Sequence, residues 1–250
     1  MNMEYLTEIY ADLDERIDDI RAVGDVNEEL VKIAINNLRS LRADVVTTGR
    51  NQGILQKIDT QIGMYDQVAR IPALTTKIPI IREQMIVLMI GALEVFLSDV
   101  FRRIGNEDPK FYLWVDPKEK IYLDPTLISD EFTLGDTIMG HLKNRGVSFQ
   151  DLKSLVDAID KYFGINISID DGDRDVLILA GAYRNIIVHN RSKIDRGFLN
   201  QIRSTAFASN GEFEKDNKIS VGDDFVDTLA RTVKNLCENI INSLMQRDEL

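Results

Sequence analysis

The sequence predicts an all-α fold, and three observations predict it. Apolar residues recur at spacings of three and four through the first third and again near the C-terminus. Only 5 prolines and 15 glycines occur in 250 residues, which suits neither disorder nor a many-turned β architecture. A hydrophobic share of 44% with 28% charged residues provides a sizeable core and a solvated exterior.

The elements follow in order. Leu6, Ile9, Leu13, Ile17 and Ile20 make one apolar stripe, which Gly24-Asp25 is expected to end. Val26, Leu30, Ile33, Leu38, Leu41 and Val45 make a second. Ile54, Leu55, Ile58, Ile62, Tyr65 and Val68 make a third, stopped by Pro72. Stripes this regular suit helical hairpins of coiled-coil-like character, which either pack as an ordinary bundle or carry partner contacts. Residues 1–75 are therefore expected to form an N-terminal helical region, and 78–250 a second domain.

After Pro79, Ile80 to Ile104 is the most apolar segment, apolar nearly all round, and is expected to be the central helix of that second domain. Within it, Met85 to Leu97 is broken by Glu94 and flanked by charges, and is too short for a membrane span. Gly105 to Pro125 carries three prolines and the single tryptophan, Trp114, and reads as an irregular insertion with room for short strands. Short helices are expected near Leu134–Asn144 and Phe149–Phe163. Asp170-Asp171-Gly172-Asp173 reads as a loop and N-cap, since it lacks the ligand spacing of a calcium loop. A helix from Asp173 to Asn190 follows, then a loop of weak periodicity to about Ser220. The helix Asp223 to Gln246 closes the chain, with Phe225, Leu229, Val233, Leu236, Ile240 and Leu244 on one face.

Composition narrows the function. One cysteine, Cys237, leaves no internal disulfide and no cysteine zinc site, which suits a reducing compartment. Met1 to Tyr10 lacks an apolar signal core, so a cytoplasmic location is expected. The final Arg-Asp-Glu-Leu is then expected to be a chance match to a retention tetrapeptide. The balance of 30 basic against 41 acidic residues gives a net charge of −11, so bulk electrostatics do not draw this chain to nucleic acid. The local balance differs. Between residues 184 and 203 stand Arg184, Arg191, Lys193, Arg196 and Arg203, against the single acid Asp195. Either this is an ordinary solvated loop, or it is a field that faces an anion.

That field surrounds Arg184-Asn185-Ile186-Ile187-Val188-His189-Asn190, which holds one of the two histidines of the chain. On a helical wheel Val176, Leu179, Ala180, Tyr183, Ile186 and Ile187 share the core side. Asn185 and His189 share the opposite side with Ile178, Gly181 and Ala182, and Arg184 lies between. The small residues there suggest close approach by another helix, and so a symmetric dimer that brings two motifs together. Cleavage at the RNA 2′-hydroxyl needs a base for its proton and positive charge at the phosphate. His189 suits the first role and Arg184 the second, through its forked donors. Asn185 would hold the imidazole or donate to phosphate, as would Asn190. A histidine at a helix end also serves as a cap, so the residues alone leave a structural role open. His141 reads as a surface residue and Cys237 as a small core residue. No Gly-rich phosphate loop, zinc spacing or Ser-His-Asp arrangement occurs.

Arg184 to Asn190 resembles the R-x4-6-H signature of the HEPN superfamily, in the form with a polar residue after the arginine. Tyr162-Phe163-Gly164-Ile165-Asn166 resembles the turn that precedes the motif helix, and Ala92-Leu93-Glu94-Val95-Phe96-Leu97 resembles the first long helix of such domains. The resemblance covers about residues 78 to 250. It implies a HEPN-like helical bundle, commonly dimeric, in which two motifs meet in a composite cleft. It implies a metal-independent endoribonuclease of a defence or toxin-type system, with Arg184 and His189 catalytic, Asn185 supporting, and Glu94 as a possible supporting acid. Asn190, Arg191, Lys193 and Arg196 would then bind RNA. No cofactor, metal or membrane is expected. RNA, a second copy of the chain and an antitoxin or other regulatory protein are the expected partners. The alternative is a non-catalytic HEPN-like module that binds RNA, a nucleotide or a protein; the acidic total charge and the long N-terminal helices suit an adaptor. A third reading is a helical scaffold in which His189 is a cap.

Overall fold

The computed structural model describes residues 4–47, 52–69, 78–107, 133–147, 152–165, 167–209, 211 and 213–248. These residues form eight α-helices and one 3-10 turn, with no strand among them. The helices are α1 (Glu4–Thr47), α2 (Gln52–Ala69), α3 (Ile78–Glu107), α4 (Leu134–Asn144), α5 (Leu152–Phe163), α6 (Asp171–Asn190), α7 (Arg196–Ile202) and α8 (Asp223–Asp248). The all-α expectation holds. The insertion around Trp114 lies, beyond Glu107, outside the described residues.

Four helices make a bundle, and side-chain pairs fix their directions. Arg21 bonds Asp227 at 2.7 Å, and Lys234 bonds Asp14 and Asp18 at 2.7 Å each, so α1 runs antiparallel to α8. Arg103 near the end of α3 meets Glu8 near the start of α1 at 3.8 Å. Arg82 pairs with Asp223, so α3 and α8 begin together. Ser192 beyond α6 bonds Glu83 at the start of α3, and Thr232 of α8 bonds Asp173 at the start of α6. Helices α1 and α6 therefore run one way, and α3 and α8 the other. Their inner faces supply one continuous core, from Leu6, Leu13 and Ile17 through Phe96, Leu97 and Phe101 to Leu179, Tyr183, Leu229 and Ile240. Burial at this scale is the main stabilising term. Lys234 keeps its proton more firmly than usual: burial works against the charge, but the hydrogen bonds it donates to Asp14 and Asp18 outweigh it. Cys237 is fully buried, and desolvation pushes its thiol well above the ordinary value.

Several sequence expectations need correction. Gly24-Asp25 does not end a helix, and α1 runs unbroken from Glu4 to Thr47. One interior glycine costs only about 1 kcal/mol relative to alanine and leaves every backbone N–H in place. Helix α3 starts before Pro79, which the first turn tolerates, and continues through Gly105. It is long and apolar enough to cross a membrane by length and composition, but more than half of the qualifying window is buried inside the chain, as in a core helix. It is also not buried all round, since Ile80, Leu88 and Val95 are exposed. The expected loop before Ser220 contains α7 and a 3-10 turn, Ala206–Ser209. Helix α4 has the expected limits.

Where α3 meets α4, the helices touch backbone to backbone. A Cβ on Gly135 would overlap the carbonyl of Arg102. Gly135→Ala is expected to destabilise the fold by about 2–3 kcal/mol, because backbone cannot yield as a flexible side chain can. Gly140 on the same helix has nothing within 4 Å of its would-be Cβ. There alanine is expected to be neutral or stabilising by up to about 1 kcal/mol. Thermal melts of the two variants check the pair.

The same junction carries an acid-sensitive cap. Thr133 is the N-cap of α4 and forms a capping box with Asp136. Asp136 accepts from the Thr133 amide at 3.0 Å, the Thr133 hydroxyl at 2.8 Å and Arg102 at 2.8 Å. The Thr133 amide bond is the largest cause holding its carboxyl below the ordinary 3.8. A depressed carboxylate stabilises the fold above its unfolded value, and that contribution is lost as the pH falls through the folded value. Asp136→Asn is therefore expected to be less stable than the parent at pH 6, with the gap closing below about pH 4. Denaturation at a series of pH values reads it.

Candidate active-site face on helix α6

Helix α6 is built to hold its last two turns firmly. Asp170 is its N-cap and accepts from the Asp173 amide at 2.9 Å, as the sequence suggested. Asp171 and Asp173 in the first turn complement the helix dipole. Tyr183, the residue before Arg184, is buried in an aromatic cluster with Phe198 at 5.7 Å, Phe225 at 5.2 Å and Phe213 at 6.2 Å between ring centroids. Ile186 is buried and Ile187 is packed against the same core. With that side anchored, the other side of the two turns must face outward.

Arg184 is half-buried, while Asn185, Val188 and His189 are exposed. The Arg184 guanidinium reaches the Asn185 side-chain oxygen at 3.4 Å, and the Asn185 amide reaches Gln201 of α7 at 3.4 Å. Both bonds are long and weak. No hydrogen bond joins the His189 ring to another described side chain, and none joins Arg184 to His189. Five residues apart on a helix, the two lie about 140° around the axis from each other. A face of Arg184, Val188, Asn185 and His189 results, with Val188 50% exposed at its centre.

The turn after His189 is pinned. Arg191 and Ser192 adopt left-handed backbone angles, φ 54° and 62°. Two such residues in succession are costly without glycine. Three bonds hold them: Ser192 N–H to Ile186 O at 2.9 Å, the Ser192 hydroxyl to Glu83 at 2.6 Å, and the Asn190 amide to Lys193 O at 2.7 Å. Asn190 thus spends an amide donor on the turn, which gives it a structural role the sequence reading did not assign.

The basic field is larger than the sequence suggested. Lys193 and Lys218 oppose each other in an isolated antiparallel bridge, closed by Ile194 N–H to Asn217 O at 2.9 Å and Ile219 N–H to Ser192 O at 3.0 Å. Like charges directly opposite destabilise one another, and an anion between them would relieve this. Arg191, Lys193, Arg196 and Lys218 are all exposed. Lys218 and Gln201 are the residues that sequence reasoning missed. Only the capping signal of Asp195, which accepts from Phe198 N–H at 2.8 Å, hinted at α7.

One expectation is not met. Ala182 does not join the outer face; it is fully buried. Gly181 is half-buried, and its would-be Cβ stands 3.4 Å from Gln201. The small residues therefore admit α7 of the same chain, which packs on α6. Glu94, the possible supporting acid, lies on α3. It is half-buried, with one carboxylate oxygen buried and unbonded. Since Glu83 stands beside Ser192, Glu94 lies about 12 Å along the bundle axis from the level of His189, at 1.5 Å per residue. Among the described residues, cavities of about 210, 300 and 130 Å³ are lined by other residues.

Compared with family models, curated proteins and solved structures, the chain matches none.

Proposed function

We propose that the chain is a metal-independent endoribonuclease of HEPN type, acting in a defence or toxin-type system. The observation that carries this reading is the face of half-buried Arg184 with exposed Asn185 and His189, beside a pinned turn bearing Arg191, Lys193, Arg196 and Lys218. His189 would take the 2′-hydroxyl proton. The resulting alkoxide attacks the adjacent phosphorus, the 5′-oxygen leaves and takes a proton from water to become a 5′-hydroxyl, and a 2′,3′-cyclic phosphate remains. Arg184 would balance charge on the phosphoryl oxygens. Asn185, now held between Arg184 and Gln201, is two weak bonds from rotating to phosphate. The basic turn would hold the RNA backbone on either side of the cut.

Among the described residues of one chain, the imidazole on this face has no orienting partner. A second copy facing it across Val188 would enclose a composite cleft and supply that partner, so the active form is a homodimer. An antitoxin or other regulatory protein would act by covering the same face.

A second reading has its own support. Arg184 bonds Asn185 and makes no bond to His189. In a non-catalytic module the face would bind RNA, a nucleotide or a protein without cutting. Matched RNA and DNA incubated with the protein in EDTA separate the two. The nuclease reading expects RNA cut and DNA intact; binding without cleavage of either favours the module.

A further inference from the structure

A cavity of about 300 Å³ opens between the end of α4 and one side of α5. Ser154, Asp157 and Lys161 line it from α5, at the three- and four-residue spacing of a single helix face. Arg145, the C-cap of α4, lines it from the other helix. Two cations, Arg145 and Lys161, thus share the lining with one carboxylate, Asp157.

An anion at the end of a helix ordinarily meets bare carbonyls, which repel it. Here the turn covers them. Arg145 N–H bonds His141 O at 3.0 Å, Gly146 N–H bonds Lys143 O at 3.0 Å, and Val147 N–H bonds Leu142 O at 3.1 Å. Gly146 takes φ 80° in that turn, and a Cβ there would meet nothing within 4 Å, so the space beside it is open.

Tyr162 decides what the cavity is for. It is 1% exposed, and its buried hydroxyl has no hydrogen-bond partner. Buried hydroxyls are nearly always bonded, so an orphan calls for a reason. Tyr162 lines the same cavity as the two cations. A phenol, a guanidinium and an ammonium are all donors, and an ionised phosphate is an acceptor with several oxygens. Asp157, when ionised, only accepts, so a ligand that suits the whole lining also carries a donor such as a hydroxyl. Tyr162 is the one aromatic residue of the lining, and Lys161 stands over its ring at 5.0 Å, so no open ring face is offered to a base. The volume lies at the lower end of small-molecule sites.

We propose that this cavity binds a small phosphorylated sugar, with its phosphate on Arg145, Lys161 and the Tyr162 hydroxyl and a sugar hydroxyl on Asp157. None of these residues belongs to α6, α7 or the basic turn, and the proposal does not rest on the ribonuclease reading.

Calorimetric titration of the full chain at two temperatures, with ribose 5-phosphate, AMP and inorganic phosphate, tests it. Ribose 5-phosphate is expected to bind with a Kd of about 1 mM or tighter. Inorganic phosphate, with no hydroxyl for Asp157, should bind about tenfold more weakly. AMP should bind no more than about fivefold tighter than ribose 5-phosphate, the least that a stacked base contributes. Arg145→Ala, Lys161→Ala and Tyr162→Phe are each expected to weaken ribose 5-phosphate about tenfold. Asp157→Asn should weaken it too, while inorganic phosphate binds at least as tightly as in the parent, because a like charge is gone. Tyr162→Phe also separates the site from the fold. It deletes only the orphaned hydroxyl, so the melting temperature of the ligand-free chain should hold or rise. A fall would mean that the hydroxyl is bonded within the fold, and it overturns the proposal. So does the absence of ribose 5-phosphate binding up to about 10 mM. Binding that the four variants leave unchanged, or a preference for AMP beyond fivefold, overturns it as well.

Discussion

Replacing His189 with alanine is expected to lower RNA cleavage about 10³-fold while leaving the fold intact. General-base catalysis contributes about 10²–10⁴ to rate, and no other described side chain on the face can accept a proton at neutral pH. Asn185 and the arginine and lysines around it cannot stand in. The structural effect should be small. His189 is exposed, lies in the last turn of α6 and has no side-chain bond to lose. Exposed substitutions of this kind change stability by about 0.5 kcal/mol, or roughly 2 °C in a chain of this size. If the melting temperature falls sharply instead, His189 is a structural cap and the catalytic assignment fails. The readout is a pair of measurements on one preparation, a cleavage rate and a thermal melt.

The second large effect is expected at Arg184. Arg184→Lys keeps the positive charge but loses the planar fork that meets two phosphoryl oxygens at once. A loss of about 10²-fold in kcat is expected, and about 10³-fold for Arg184→Ala, by analogy with loss of one donor to a developing oxyanion. RNA affinity should change less than kcat, because Arg191, Lys193, Arg196 and Lys218 still bind the backbone. If lysine restores full activity, a bare cation is enough at this position and the bidentate role is wrong. If both variants lose affinity in proportion to rate, Arg184 is a binding residue only.

What the sequence revealed about these residues follows from their physics. The core side of α6 was legible because Val176, Leu179, Tyr183 and Ile186 recur at helical spacing, and all are buried. Asp170 was legible as a cap because its chemistry is local. Ala182 was not, because a wheel gives a direction and does not say which neighbour lies there; α7 does, and seven residues are too few to show a period. Lys218 joins the basic field through a backbone bridge to Lys193, 25 positions away, and no local pattern encodes such a contact. Asn190 read as a ligand-binding amide, and its bond to Lys193 O adds a place in the turn that no local pattern announced. Gly24 looked like a break because glycine often is one, but without proline the helix carried on.

Glu94 is instructive for a different reason. Its position in an apolar helix resembled that of a supporting acid, and the bundle sets it about 12 Å along the axis from His189 of the same chain. Whatever orients the imidazole must come from α7, from the substrate or from a second copy. Gln201 of α7 already accepts from Asn185, one turn before His189.

The central claim is that the RNA's own 2′-hydroxyl is the nucleophile. The direct test is the chemistry of the new ends after cleavage of a defined RNA oligonucleotide in EDTA, analysed by mass spectrometry. A 2′,3′-cyclic phosphate on one fragment and a 5′-hydroxyl on the other, both absent when the cleaved position carries a 2′-deoxy sugar, is the predicted result. Fragments ending in 3′-hydroxyl and 5′-phosphate, still formed from the 2′-deoxy substrate, would contradict it.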